Sequence, residues 1–349
     1  MSKDYDIIVV GGGPSGLALA RELEDEFSVA LIERRNSKKY GHRVVSLKAY
    51  EKLRVDDDCI IQPIEEIRFY SPYGNHLSLK DGSKRGYVMN QQDLEKDMYE
   101  QLTNTTIYLG EDVWNVSFDK RKIITNKRDI RYKVLVGADG AKSTIRRLLN
   151  INAPKIIKCY TEIWDNTKSV TSFILSRKYA PGFYAWIIPS NDMVEIGIGR
   201  KSNTRMYFEK FIKQYPLFRE WKRNVIKRSG GLIPVSTVDR RVLKDCILIG
   251  DACGGEALFG GNLHKAVDEA MLASRAIKEF FGGSDLESYE KIWYETLGKD
   301  LEIQRRLRNK LDSTEDDVLE KVFKRKSEAR GQGLVNMALR DLLSELDRC

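Results

Sequence analysis

A glycine turn set between an apolar strand and a helix start constrains this chain more than any other feature. Ile7 to Val10 form a buried-strand run, Gly11, Gly13 and Gly16 follow in G-x-G-x-x-G spacing with Pro14 and Ser15 among them, and Leu17 to Leu23 continue as a helix. The first glycine permits the tight turn, the second lets a pyrophosphate come close to backbone, and the third lets the helix lie against the strand. Unpaired amides at a helix start carry roughly half a positive charge, so an anion is stabilised there without a basic side chain. A second strand, Val29 to Ile32, ends at Glu33, which lies 22 positions after Gly11, where a carboxylate accepts both ribose hydroxyls of a dinucleotide. Strand, turn, helix and acid in register predict a dinucleotide-binding βαβ unit.

Two further segments narrow the dinucleotide. Residues 133–147 place an apolar strand before Gly137-Ala-Asp139-Gly140, with Ser143 and Arg146 after it, and residues 243–263 run through Ile249-Gly250-Asp251-Ala to Gly260, Gly261, Asn262 and Leu263. Both resemble the para-hydroxybenzoate hydroxylase-like flavoprotein superfamily. The resemblance implies a Rossmann-like FAD-binding domain, with Asp139 and Gly140 beside the FAD pyrophosphate and Asp251 on the ribityl chain. It also implies a helix, running from His264 to Phe281, aimed at the flavin pyrimidine, where its dipole would stabilise the reduced ring. Arg34, Arg43 and Val113 complete the cofactor-binding set that the resemblance implies.

Pro181-Gly-Phe-Tyr184-Ala-Trp186-Ile-Ile188-Pro189 is similar to the Tyr-x-Trp-x-Phe-Pro signature of geranylgeranyl reductases, with Ile188 in place of Phe. That family is implied to saturate isoprenoid chains with reduced flavin. Tyr184 and Trp186 share one face of a strand by its period of two, as sheet core or as the lining of an apolar channel over the flavin. The resemblance makes them the catalytic candidates; nothing in the sequence singles out the proton donor, for which Tyr184 or a water is the provisional choice. Departures weaken the prenyl assignment: His42-Arg43-Val44 keeps the Arg of an Arg-Cys segment and lacks the thiol, Gln91 stands where Arg is usual, and the Gly-Asp-Ala loop has no proline. Aromatic monooxygenases and halogenases of the same fold are the first alternatives, and an electron-transfer flavoprotein without an organic substrate is another.

A chain of 349 residues exceeds what one hydrophobic core usually organises. The expected architecture is α/β, with an FAD-binding domain from 1–62, 87–153 and 240–283, an antiparallel-sheet substrate domain from 63–86 and 154–239, and a helical C-terminal region from 284–349. Within these, helices are expected over Gln92 to Leu102 and Met206 to Arg223. A single G-x-G-x-x-G leaves no separate nicotinamide domain, so NAD(P)H or ferredoxin must visit the flavin transiently. No stretch approaches the roughly 18 apolar residues of a spanning helix, and a charged start argues against a signal peptide, so a cytoplasmic location is expected. Five cysteines without close pairs and three scattered histidines indicate neither a disulfide framework nor a metal site. Cys253 reads as a packed small residue of the flavin loop. The net charge of +8 favours anionic partners, either an acidic electron carrier or a membrane surface, and no motif supports nucleic-acid binding. Basic stretches at 304–310 and 321–330 read as solvated helix faces or as peripheral membrane contacts.

Overall fold

A computed structural model describes residues 3–36, 41–165, 169–256, 258 and 262–328. Lys3–Val10 pairs in parallel with Val29–Glu33 on one side and Asp129–Gly137 on the other. The eight-stranded sheet then extends to Thr106–Leu109 at one edge and to Cys246–Leu248 and Val242–Leu243 at the other. Its central strands are apolar and buried over 7–10, 29–32 and 134–136, where helices or loops cover both faces. Pro14–Leu23 and Leu263–Phe281 pack together on one face, with Leu17, Ala18, Ala20, Ala270, Ala273 and Ala276 in one buried cluster. Small residues on both helices permit that close approach.

The second sheet has seven strands in the order Val225–Pro234, Ile156–Asp165, Met193–Arg200, Ala185–Ser190, Thr171–Ile174, Ile67–Tyr70 and His76–Leu79. Its pairs are antiparallel except that between Thr171–Ile174 and Ile67–Tyr70. Alternation divides its two faces cleanly. Ala185, Ile187, Val194, Ile196 and Ile198 meet Phe208 and Phe211 of the helix Thr204–Gln214, whereas Tyr184, Trp186 and Ile188 point the other way, toward Val322 and Phe323. The helix expected over Met206 to Arg223 stops at Gln214, because Pro216 has no N–H to continue the ladder and disfavours helical backbone before it. The helix expected from Gln92 begins at Gln91 and ends at Glu100, capped by the Asn90 side chain.

A three-stranded sheet of Ile60–Ile64, Gly86–Asn90 and His42–Ser46 lies between these two layers, and no sequence pattern announced it. Val45 joins the nucleotide-side core, whereas its neighbour Val44 packs with the cluster that holds Trp186. This strand therefore shows alternate side chains to the two halves.

Candidate functional site

The glycine turn is built by steric necessity. Gly11 has φ +113°, and a Cβ there would lie 2.3 Å from the Ala138 carbonyl oxygen; one on Gly16 would lie 2.0 Å from the Gly11 oxygen. A Cβ on Gly13 or on Gly140 would meet nothing within 4 Å, so both face open space. Pro14–Leu23 begins between them without a side-chain cap. A cradle with open glycines at an uncapped helix start fits a pyrophosphate, and Pro14 and Ser15 in the first turn fit with it.

Glu33 anchors the other end of this unit. Its carboxylate accepts from the amides of Gly12 at 2.8 Å and Arg35 at 2.8 Å, and from Arg35 Nε at 3.0 Å. Burial opposes its ionisation, but the bonds and charge of Arg35 outweigh that and hold Glu33 below its ordinary range. Arg34 is exposed, so Arg35 is the arginine that organises this acid, a distinction spacing could not supply. Val113 is buried in the core beneath the sheet, with Tyr5 and Ile32.

The Asp139 segment acts on the loops around it. Asp139 Oδ2 accepts from the amides of Thr144 at 2.6 Å and Ile145 at 3.2 Å, and burial raises its carboxyl. Ser143 caps the amide of Arg146, whose buried guanidinium donates to the carbonyls of Ala252 at 2.7 Å and Ala141 at 2.9 Å. Arg146 thereby ties the Asp-Gly turn to the Gly-Asp-Ala turn. Gly250, at φ +62°, presses on the helix start so closely that a Cβ would sit 2.4 Å from Ser15 Oγ. Asn262 donates to Asp251 at 3.0 Å and accepts from the amide of Glu256 at 2.7 Å, closing the loop just before Leu263 opens its helix. Gly260 and Gly261 lie outside the described residues.

Beneath that loop is a buried polar cluster missed by the motifs. Glu269 pairs with Lys265 at 2.8 Å, and accepts from the Gly250 amide at 2.7 Å, Trp293 Nε1 at 2.6 Å and Cys253 Sγ at 3.1 Å. Lys265 also donates to the Gly254 carbonyl at 3.1 Å. Burial works against the charged amine, yet Cys253 and Glu269 raise Lys265 above its ordinary value. Burial, with Glu269 next, pushes Cys253 up and keeps it a thiol. The i, i+4 spacing of Lys265 and Glu269 was visible, but it is shared by many solvated pairs.

The second sheet carries an aromatic cluster on the face turned toward the C-terminal helices. Tyr184 and Trp186 lie edge to face at 5.9 Å, and Phe183 stacks on Tyr184 at 4.1 Å. The next strand yields room: a Cβ on Gly197 would strike the Trp186 indole at 2.1 Å and one on Gly199 would strike Phe183 at 2.3 Å. Rings therefore lie flat against the sheet. Between these glycines and the turn stands buried Glu195, whose Oε1 accepts from Trp186 Nε1 at 3.3 Å. Its Oε2 faces His42, 3.2 Å from the backbone nitrogen and 3.4 Å from Nδ1, and Ser190 Oγ lies 2.9 Å from Nε2. Arg43 alternates with His42 and is exposed toward the nucleotide side. Burial, with the Glu195 charge adding to it, pushes Cys159 on the neighbouring strand up to about 12. Burial also drives the Tyr184 phenol far above its ordinary value, which makes it a poor proton donor. No group of metal-ligating side chains occurs among the described residues.

The glycine cradle, the buried acid at the end of the second strand and the interlocked loops define an FAD-binding α/β protein whose second sheet carries a buried aromatic cluster. The chain belongs to the FAD binding domain family, which matches residues 4–224. It is similar to the digeranylgeranylglycerophospholipid reductase of Methanosarcina acetivorans, 25% identical over 99% of this chain and 93% of that one. The enzyme of the same name from Methanocaldococcus jannaschii is 26% identical over 98% of this chain and 94% of its own. Among solved structures, a geranylgeranyl bacteriochlorophyll reductase-like protein from Thermoplasma acidophilum superposes with TM-score 0.86 at 23% identity, covering 99% of this chain and 96% of that one.

Proposed function

We propose that this flavoprotein is a reductase that saturates carbon–carbon double bonds in the chain of an isoprenoid lipid. An aromatic cluster carries the reading: Phe183, Tyr184, Trp186 and Ile188 on the sheet pack with Leu311, Leu319, Val322 and Phe323 of the C-terminal helices, and we take this apolar layer as the wall of the substrate chamber. An unactivated alkene reacts by developing positive charge on carbon, which dry walls protect from water and ring faces stabilise. The reductase names of the relatives support the same substrate class.

In this reading the FAD-binding portion is drawn from 1–62, 87–153 and 240–283, and the substrate portion from 63–86 and 154–239. Gly11, Gly13, Pro14, Ser15 and Gly16 hold the pyrophosphate, Glu33 the ribose, and Asp251, Asn262 and Leu263 the flavin end, with Asp139, Gly140, Gly250 and Arg43 shaping the groove. Reduced FAD supplies the hydride when bound. Trp186 and Tyr184 orient the alkene and exclude water. The electron donor is NAD(P)H or a reduced ferredoxin that visits from solvent. No helix among the described residues is long and apolar enough to cross a membrane, so the lipid is reached from the surface, where the +8 net charge favours anionic headgroups.

The test is anaerobic. Holoprotein reduced by dithionite and mixed with digeranylgeranylglyceryl phosphate in detergent is expected to regain oxidised-flavin absorbance while the lipid gains two hydrogens per saturated bond. Flavin that ignores the lipid and, once air is admitted, consumes oxygen on addition of an aromatic acid would instead identify a monooxygenase.

A further inference from the structure

Saturating an alkene requires a proton as well as a hydride, and the aromatic residues of the chamber supply none at neutral pH. The carboxyl that touches the Trp186 indole from the next strand is that of Glu195. We propose that Glu195 delivers the proton to the alkene and that His42, paired with it from the intervening three-stranded sheet, recharges it. This inference rests on the reductase reading above.

Five observations converge on the pair. Glu195 sits in the inward-facing row of Met193–Arg200, between two strands that carry the chamber aromatics and Cys159. Its burial is lopsided: one oxygen is aimed by the Trp186 indole N–H, and the other faces His42. The two side chains are 8% and 10% exposed, so bulk water does not level the pair. Ser190 Oγ, at the chain turn beyond the chamber, reaches the far ring nitrogen of His42 and completes a path of exchangeable protons from turn to chamber. His42 and Arg43 are successive residues of one strand and face opposite sides, so this path reaches the boundary with the cofactor half.

The step balances. The π bond of the substrate breaks as one carbon gains the hydride supplied by reduced FAD and the other gains a proton from the Glu195 carboxyl. The carboxylate left behind takes the Nδ1 proton of His42 while Nε2 takes one from water through the Ser190 hydroxyl, and the imidazole, left in its other tautomer, exchanges those two protons before the next turnover. No further oxidant or reductant is needed. Placing the acid beside the Trp186 ring also sets the developing cation next to an aromatic face.

Glu195→Gln and His42→Gln separate this proposal from the reading it rests on. Both variants are expected to keep FAD and to be reduced by dithionite as the wild type is, whereas reoxidation by digeranylgeranylglyceryl phosphate falls by about 100-fold or more in Glu195→Gln, the usual loss when a positioned acid is removed. The double variant is expected to be no slower than Glu195→Gln, because the two residues act as one unit. A readout independent of turnover uses the fact that the chain has three histidines. With 15N-labelled histidine, the imidazole signals absent in His42→Gln belong to His42, and Glu195→Gln is expected to move those signals and leave the other two rings in place. Wild-type reoxidation by the lipid together with an undiminished rate in Glu195→Gln overturns the proton-donor role while leaving the reductase reading intact. A wild type that the lipid cannot reoxidise overturns both. If Glu195→Gln purifies without FAD, His42→Gln decides, since it changes a residue on a different strand.

Discussion

Two buried carboxylates, Glu269 under the cofactor loop and Glu195 in the chamber wall, are held in opposite ways. Glu269 has a lysine, an indole, a thiol and a backbone amide, three of the four within 2.8 Å. Contacts described for Glu195 run from 3.2 to 3.4 Å. Short charge-assisted bonds from several directions leave a carboxylate one position and one protonation state, whereas longer contacts leave it able to change partner. The comparison teaches that the cofactor half is built to hold a single shape, and the chamber half to permit exchange.

The severest way to break that contrast is to unsaturate the rigid side. Lys265→Met leaves Glu269 buried without its cation, and losing one partner of a buried pair costs about 3–5 kcal/mol. Urea unfolding of the purified protein is expected to show that loss, with FAD released more readily because Gly250 hangs from the same carboxylate. A variant as stable as wild type would show that the loop, and not the ion pair, organises this region.

Gly197→Ala asks the opposite question of the chamber. The new Cβ would strike the Trp186 indole, which also holds Glu195, so the ring must move. Displacement by about 1 Å can cost on the order of 100-fold in rate, and alkene-driven flavin reoxidation should fall by that order with FAD content unchanged. Loss of FAD as well would mean that the halves are mechanically coupled through the three-stranded sheet.

Legibility in the sequence divides along the same line. The cofactor half could be read because backbone does its work: a positive φ at Gly11, a clash-limited Gly16 and an uncapped helix start each demand a particular residue at a particular spacing. The place of Glu33 at the end of the second strand was legible from spacing, and Tyr184 and Trp186 shared a face as period two requires. What the sequence hid depends on distance along the chain. His42 and Glu195 are 153 residues apart and Arg146 and Ala252 are 106 apart, so no window contains either pair. Arg35 was not singled out because only the geometry of the strand end shows that its guanidinium turns back onto Glu33.

Glu33 gives a milder test of the rigid half. Glu33→Ala removes the acceptor for the Gly12 amide and for Arg35 together with the proposed ribose contact, and is expected to weaken FAD binding by roughly 1–3 kcal/mol. Flavin fluorescence on dilution measures it. Unchanged retention would assign Glu33 to shaping the turn alone.

The smallest effect concerns acid, and it sharpens the comparison by reaching the rigid half without touching the cofactor. Glu24, just beyond the first helix, accepts from the amides of Thr103, Asn104 and Thr105 and from the Thr105 hydroxyl, at 2.7 to 3.1 Å. Burial acts against the charged form, but these bonds prevail and its carboxyl titrates below the ordinary 4.5. A depressed folded-state value means that the stability Glu24 contributes is present above the unfolded pKa and is lost as pH falls through the folded one. Glu24→Gln keeps one acceptor and turns an amide toward the remaining donors, so a deficit of about 1 kcal/mol is expected near neutral pH. That deficit should shrink as pH falls through the depressed folded-state value of the wild-type carboxyl, and urea midpoints at neutral and at acid pH measure the closing gap. A deficit that stays constant with pH would assign the loss to shape and not to charge, and the acid sensitivity of the rigid half would then lie with Glu33.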